Sequence, residues 1–219
     1  MGLNSDEGYS HRYHAGNVGD VWKHCVLVSA LTALRETSHS LLVIETHAGH
    51  GRYDLGPTGE WTEGIGKLWA TPPREPPEAL RRYLELVAPP STHRTRRYPG
   101  SPDLILALQR ATDRAVFYDI DPAAAASLRS SIHRPRVDVY EADGLAALPD
   151  LLARAPESVD VLVHIDPPYG LKSDWHTVPD ALIAAYQARP ATRFLLWYPV
   201  KSYTRPNAML QRLERARVP

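Results

Sequence analysis

The sequence predicts an α/β domain built on a parallel sheet with helices on both faces. Three observations lead there. Short apolar runs alternate with amphipathic stretches along most of the 219 residues. The runs are rich in β-branched and aromatic residues and too short for helices. Carboxylates and turn residues follow them directly, as they do where strands open onto a ligand crevice.

The first run is Leu41-Leu42-Val43-Ile44-Glu45-Thr46, nearly continuous in apolar residues, as expected of a strand buried on both faces. Ala115 to Tyr118, Val137 to Tyr140, Val159 to Ile165 and Phe194 to Tyr198 read the same way. Between them lie helices. Asp20 to Arg35 carries Val21, Val28, Leu31 and Leu34 at helical spacing. Pro102 to Arg110 and Pro122 to Ile132 each open on a proline, whose fixed φ and missing N–H suit a first helical turn. Gly144 to Ala155 and Val178 to Ala188 complete the alternation. Residues 56–99 break the rhythm. They hold no good strand and many prolines, and their centre, Pro77 to Val87, is helical in pattern. A small helical insertion within a single domain spanning 1–219 is expected.

Composition narrows the function. Lys plus Arg and Asp plus Glu each number 25, for a formal net charge of zero. A protein that depends on phosphate contacts is usually more basic, so any nucleic-acid contact must come from a local patch. The basic run His93 to Arg97, with Arg81 and Arg82, is one candidate, although such runs are commonly solvated faces. The single cysteine, Cys25, excludes an intrachain disulfide and fits a reducing compartment. Residues 1–17 lack the apolar core of a signal peptide, and no run is long enough to span a bilayer. A cytoplasmic location is expected.

The sharpest motif is Asp166-Pro167-Pro168-Tyr169, directly after an apolar strand. Two successive prolines remove two donors and fix φ, giving a stiff turn whose carbonyls remain acceptors. Rigid acceptors suit a primary amine with two hydrogens: Asp166 and the Pro167 carbonyl would take them, and Tyr169 offers a flat face for a base. Asp-Pro and Pro-Pro are also common turn dipeptides. After the first strand comes Thr46-His47-Ala48-Gly49-His50-Gly51-Arg52-Tyr53, where Gly49 and Gly51 let backbone approach a ligand closely or simply make a tight turn. Asp119 ends the second long strand, a usual place for a carboxylate that grips ribose. Asp143-Gly144 follows the third, where an acid accepts from an adenine amine or caps a helix. The pairs His11/His14 and His47/His50 lack companion ligands at metal spacing, so no metal is expected.

The segment Tyr9-Ser10-His11-Arg12-Tyr13-His14-Ala15-Gly16-Asn17-Val18-Gly19-Asp20-Val21-Trp22-Lys23-His24 is unusual. Together with Thr46 to Tyr53, Tyr98-Pro99-Gly100-Ser101-Pro102 and Asp166 to Tyr169, it resembles the RlmJ family, 23S ribosomal RNA adenine methyltransferases with a Rossmann-like class I fold. The resemblance implies that His24, His47, Ser101, Asp119, Asp143, Gly144 and Asp166 line an S-adenosylmethionine site, with Gly49 in the loop beside them. It implies that Asp166 is the catalytic acceptor. Tyr9, His11 and Lys23 match positions over the active site that assist substrate binding or methylation. Family members continue past the position of Pro219, so the last strands of the sheet are expected to be missing and Phe194 to Tyr198 to form an open edge.

The expected activity is therefore direct methylation of the N6 amine of an adenine in 23S ribosomal RNA by a monomer that needs neither membrane nor metal. The alternatives are an adenine methyltransferase acting on DNA and a non-catalytic nucleic-acid-binding remnant of the family.

Overall fold

A computed structural model describes residues 11–89 and 96–219, with backbone alone for His11 and Arg12. In chain order the elements are α1 (His11–His14), α2 (Val18–Thr37), β1 (Leu41–Glu45), β2 (Arg52–Leu55), a single 3₁₀ turn (Glu60–Thr62), α3 (Ile65–Ala70), α4 (Glu78–Leu86), β3 (Arg96–Pro99) and α5 (Ser101–Leu108). Then follow β4 (Arg114–Asp119), α6 (Pro122–Ser131), β5 (Val137–Glu141), α7 (Gly144–Arg154), β6 (Asp160–Ile165), α8 (Asp174–Ala188), β7 (Arg193–Leu196) and α9 (Thr204–Arg215). The chain divides into two compact units. One comprises residues 1–31 and 51–107, the other 32–50 and 108–219.

The second unit carries a five-stranded sheet in the order β5-β4-β1-β6-β7, with every pair parallel. From β1 the chain lays β4 and β5 on one side, then β6 and β7 on the other. The direction of strand addition therefore reverses between β1 and β6, and ligands of open α/β sheets bind outside the carboxyl ends at such a point. This is the Rossmann-like arrangement expected from the sequence. All five residues of β1 are buried, as are Val161 to Ile165 of β6. Both faces of the centre are thus covered, which explains the continuous apolar runs. The outer strands β5 and β7 are only half-buried. Leu42, Ile44, Val116, Val161, Val163 and Ile165 from the sheet form one core with Leu148 and Leu152 of α7 and Val178 and Leu182 of α8.

The crossover helices begin as their sequences direct. Asp121 caps α6, accepting from the Ala123 N–H, and Pro122 occupies its first turn. Asp143 caps α7, accepting from Leu145 and Ala146. Gly144 has a different constraint. A Cβ there would sit 2.6 Å from the Thr46 backbone and 2.8 Å from the Tyr118 Cβ, so only glycine lets α7 start this close to β1 and β4.

The first unit holds the antiparallel ribbon β2–β3, in which Tyr53 faces Tyr98 and Asp54 faces Arg97. Residues 56–99 are therefore not purely helical: their last four form β3. That strand is short and its burial alternates around the single fully buried Tyr98, leaving little apolar signal. Gly16 has φ of 78°, and the Ile65 N–H donates to its carbonyl at 2.9 Å. Asn17 caps α2 by accepting from the Asp20 N–H at 2.9 Å, while Asp20 accepts from the Gly16 N–H at 2.8 Å. A Cβ on Gly64 would lie 2.1 Å from the Gly16 carbonyl oxygen. The His-Ala-Gly-Asn segment is thus built into the packing of this unit. Among the described residues no helix is long and apolar enough to cross a membrane.

The glycine geometry gives a direct test. Gly144→Ala should cost about 1–3 kcal/mol in urea unfolding, as overpacking against rigid backbone does. Gly170→Ala, where an added Cβ meets nothing within 4 Å, should stay within about 0.5 kcal/mol of the parent.

Candidate active site

At the carboxyl edge of the second unit's sheet, three loops are joined through Asp119. One of its carboxylate oxygens accepts from the Gly49 N–H at 2.7 Å and the other from the Asp121 N–H at 2.8 Å. Its own carbonyl accepts from the Ala142 N–H at 3.0 Å, in the loop after β5. Gly49 and Gly51 have φ of 63° and 76°, the left-handed region that glycine enters without a Cβ clash. The chain leaving β1 is also tied on both flanks. The Ala48 N–H donates to the Tyr118 carbonyl at 2.9 Å, and the Thr46 N–H to the His164 carbonyl at 3.2 Å.

His47 stands in the middle of this edge, sharing a 2.8 Å hydrogen bond through Nδ1 with the Thr46 hydroxyl. Burial pushes its pKa down from 6.5, although Asp166, Asp119, Asp143 and Asp174 all pull the other way. Those four carboxylates therefore lie within electrostatic range of one imidazole, and three of them are the acids that the sequence singles out. Asp174, the first residue of α8, completes the group. Sequence reasoning missed it. The available signal was an acid eight residues after Asp166, at the start of the next helix.

Asp166 follows β6 immediately and is half-buried, and Pro167 after it is buried. Tyr169 has φ of 49°. A bulky residue in the left-handed region is rare and costs about 1–3 kcal/mol, strain that tends to collect at functional sites. Its ring packs against Trp175 with centroids 4.6 Å apart at 42°, and its hydroxyl reaches Met209 Sδ at 3.9 Å. Burial, then the nearby Asp166, raises the pKa of the phenol, keeping it protonated. Beneath the edge, Glu45 and His164 face each other across β1 and β6 and share a 2.8 Å hydrogen bond, both essentially inaccessible. Nothing in the sequence patterning marked this pair, because it sits inside apolar strands.

The structure thus gathers His47, Gly49, Asp119, Asp143, Gly144, Asp166, Pro167 and Tyr169 on the carboxyl-edge loops of one sheet. Two of these are also engaged structurally: Asp143 Oδ1 caps α7, and Gly144 permits close packing. His24, Lys23 and Ser101 belong to the first unit. His24 is only 3% exposed, and its Nδ1 shares a 2.9 Å hydrogen bond with Tyr98 Oη, which in turn bonds Tyr83 Oη at 2.9 Å. Lys23 Nζ lies 2.9 Å from Asp20. Burial works to raise the Asp20 pKa, but Lys23, His24 and the Gly16 N–H together hold it below the usual 3.8. Ser101 is buried as the first residue of α5. His11 is in α1 with its side chain outside the described residues, and Tyr9 lies outside them altogether. Among the described residues, no three His, Cys, Asp or Glu side chains come together as metal ligands would.

Comparison with known proteins fixes the ancestry of this edge. The family model described as ribosomal RNA large subunit methyltransferase D, RlmJ, matches residues 38–219. The chain belongs to the RlmJ family of methyltransferases. The ribosomal RNA large subunit methyltransferase J of Escherichia coli K12 is 35% identical over 213 residues, covering 94% of this chain and 75% of that protein. The protein of the same name from Haemophilus influenzae is 34% identical over 204 residues, covering 88% and 70%. The crystal structure of protein LPL1258 from Legionella pneumophila superposes with a TM-score of 0.84 at 30% identity, covering 93% of this chain and 76% of that one. Membership of this family makes the chain a methyltransferase, which works from a methyl donor.

The imidazole at the centre supplies a pH test. A histidine whose pKa falls on folding binds fewer protons in the folded state. Its contribution to stability is therefore complete above 6.5 and fades as pH drops below that value. Thermal unfolding from pH 7.5 to 5.0 should show a steeper loss of stability in the parent than in His47→Gln. Identical slopes would contradict the lowered pKa of this half-buried imidazole.

Proposed function

We propose that the chain transfers a methyl group from S-adenosylmethionine to the N6 amine of an adenine in 23S ribosomal RNA, acting in the cytoplasm as a monomer. The observation that carries this reading is the placement of Asp119, Asp143 and Asp166 at or just after the ends of neighbouring strands on either side of His47, at the point where the strand order reverses. When bound, S-adenosylmethionine supplies an electrophilic methyl group on a positively charged sulfur. The donor set fits such a group. Four carboxylates favour a cation, and the neutral His47 among them does not repel it. Asp119 uses two acceptor positions on backbone N–H groups, and a carboxylate has about four, so it retains capacity for hydroxyls.

On the substrate side, the adenine amine is a poor nucleophile because its lone pair is delocalised into the ring. Asp166 accepts one of its hydrogens and the Pro167 carbonyl the other, which localises the lone pair and directs it. The target base leaves its stack at a cost of roughly a few kcal/mol. Tyr169, held by Trp175 and by its own constrained backbone, stacks on it. The family resemblance further implies a part in handling the substrate for Lys23, Tyr9 and His11, and a part in holding the donor for His24 and Ser101. The family relatives named for ribosomal RNA support the choice of RNA over DNA.

Asp166→Ala should lower turnover at least about a hundredfold, measured as tritiated methyl incorporation into protein-free large-subunit ribosomal RNA, with an unchanged circular dichroism spectrum. Retained turnover at saturating donor would remove this mechanism. Duplex DNA methylated in preference to RNA would transfer the assignment to a DNA enzyme. Failure to bind S-adenosylmethionine in a calorimetric titration at millimolar concentration would leave only a nucleic-acid-binding remnant.

A further inference from the structure

A protein with no net charge needs a local surface to hold RNA. The basic residues around Arg81 do not provide one. Arg81 pairs with Glu78 and Glu85, Arg82 with Glu78, and Arg97 with Asp54, while Arg96 lies over the Trp61 ring at 4.8 Å. Arg81, Arg82 and Arg97 are thus neutralised where they stand, while His93 and Arg94 of the same run lie outside the described residues.

A different surface of the second unit has the opposite character. Residues 167–173, after β6, and 197–213, after β7, contain no Asp or Glu. They contain Lys172, Lys201, Arg205 and Arg212. Arg212 pairs with Asp180 of α8, but among the described residues Lys172, Lys201 and Arg205 form no ion pair. The same loops expose apolar side chains: Tyr203 at 75%, Leu171 at 68% and Val200 at 58%. They leave the sheet side by side, because Ile165 pairs with Leu196 and the Trp197 N–H donates to the Ile165 carbonyl at 2.9 Å. They meet again where Tyr169 Oη contacts Met209 of α9. Lys172 is three residues beyond Tyr169, at most about 11 Å of chain.

We propose that this rim, at whose edge Asp174 accepts from the Leu171 N–H at 3.0 Å, grips the single-stranded RNA flanking the target nucleotide, with Tyr203 stacking on a neighbouring base and Lys172, Lys201 and Arg205 on phosphates. Unopposed cations interleaved with an exposed aromatic ring are the features that hold single strands regardless of sequence. An acidic protein partner would match the charge but gives no reason for a bare aromatic ring beside the stiff turn that carries Asp166. The proposal rests on the reading of that turn as the site of methyl transfer, and the experiment below separates the two.

Affinity is measured by fluorescence anisotropy with a fluorescein-labelled, adenine-containing 12-nucleotide single-stranded RNA across a series of salt concentrations. Methyl incorporation into protein-free large-subunit ribosomal RNA is measured in parallel. The double variant Lys201→Ala, Arg205→Ala should raise KM for RNA about tenfold at unchanged kcat and lower the salt slope of binding by about 1.4. Tyr203→Ala should weaken 12-mer binding about tenfold while Tyr203→Phe retains it. Arg81→Ala, Arg82→Ala should match the parent. Titration with S-adenosylmethionine alone should be unchanged in all of them, which shows that they fold. Parent-like KM, affinity and salt slope in the Lys201/Arg205 and Tyr203 variants would overturn the rim while leaving methyl transfer intact. So would equal losses on a 12-base-pair DNA duplex, or a parent that does not bind the 12-mer at low salt. Rim-dependent binding without methyl incorporation by the parent would support the rim and defeat the proposed reaction.

Discussion

The site depends on one carboxylate. Asp119 closes β4, and its two oxygens and its carbonyl together hold Gly49, Asp121 and Ala142. Hydrogen bonds from backbone N–H groups to an ionised acceptor are short and strong, and they hold loops that would otherwise be free at the sheet edge. The loop after β1 makes two left-handed turns in three residues, at Gly49 and Gly51, and needs such an anchor. With the anchor in place His47 is fixed, and the other acids are arranged about it. The turn that carries Asp166 is fixed by different means. Two prolines stiffen the turn after β6, and Tyr169 is held in an unfavourable backbone conformation by Trp175 and Met209. One half of the edge is held by hydrogen bonds, the other by covalent geometry and packing.

The first unit shows how a motif can be diagnostic without being chemical at each position. Gly16 is left-handed and accepts from Ile65, Asn17 caps α2 by accepting from the Asp20 N–H, Asp20 accepts from the Gly16 N–H, and Gly64 admits no side chain. His24 is buried in a chain with Tyr98 and Tyr83. The side chains between these positions stand on a backbone that these contacts determine. Lys23, with its ammonium on Asp20, is one such position.

The sheet was legible in the sequence for a physical reason. Strands buried on both faces must be apolar throughout, and β1, β4 and β6 announce themselves as unbroken runs. The ribbon escaped because each of its strands has four residues, one of them buried and two of them charged, as in Arg96-Arg97-Tyr98-Pro99. Helix α9 escaped because it is polar over most of its surface and buries only Pro206 and Met209. The carboxyl-edge acids were found because strand ends are where chemistry collects. The capping alternative for Asp143 was also legible, and it holds at the N-terminus of α7, whereas the requirement for Gly144 set by the Thr46 backbone was not. Asp174 and the Glu45–His164 pair depend on three-dimensional neighbours that no spacing reveals.

Zero net charge conceals a separation of sign that the proposed chemistry requires. A site for a sulfonium donor gains from carboxylates, yet the same carboxylates repel the phosphates of an RNA substrate. The conflict is relieved by distance and screening. At physiological ionic strength the Debye length is about 8 Å, so charges beyond that reach act nearly independently. Acids around His47 therefore govern the interior of the crevice. On the proposed reading, Lys172, Lys201 and Arg205, in the segments after β6 and β7, govern the approach. A uniformly basic protein would bind RNA more strongly and everywhere. On the proposed reading, a neutral protein with cations on the segments after β6 and β7 holds RNA beside Asp166, so that affinity and position come from the same few residues.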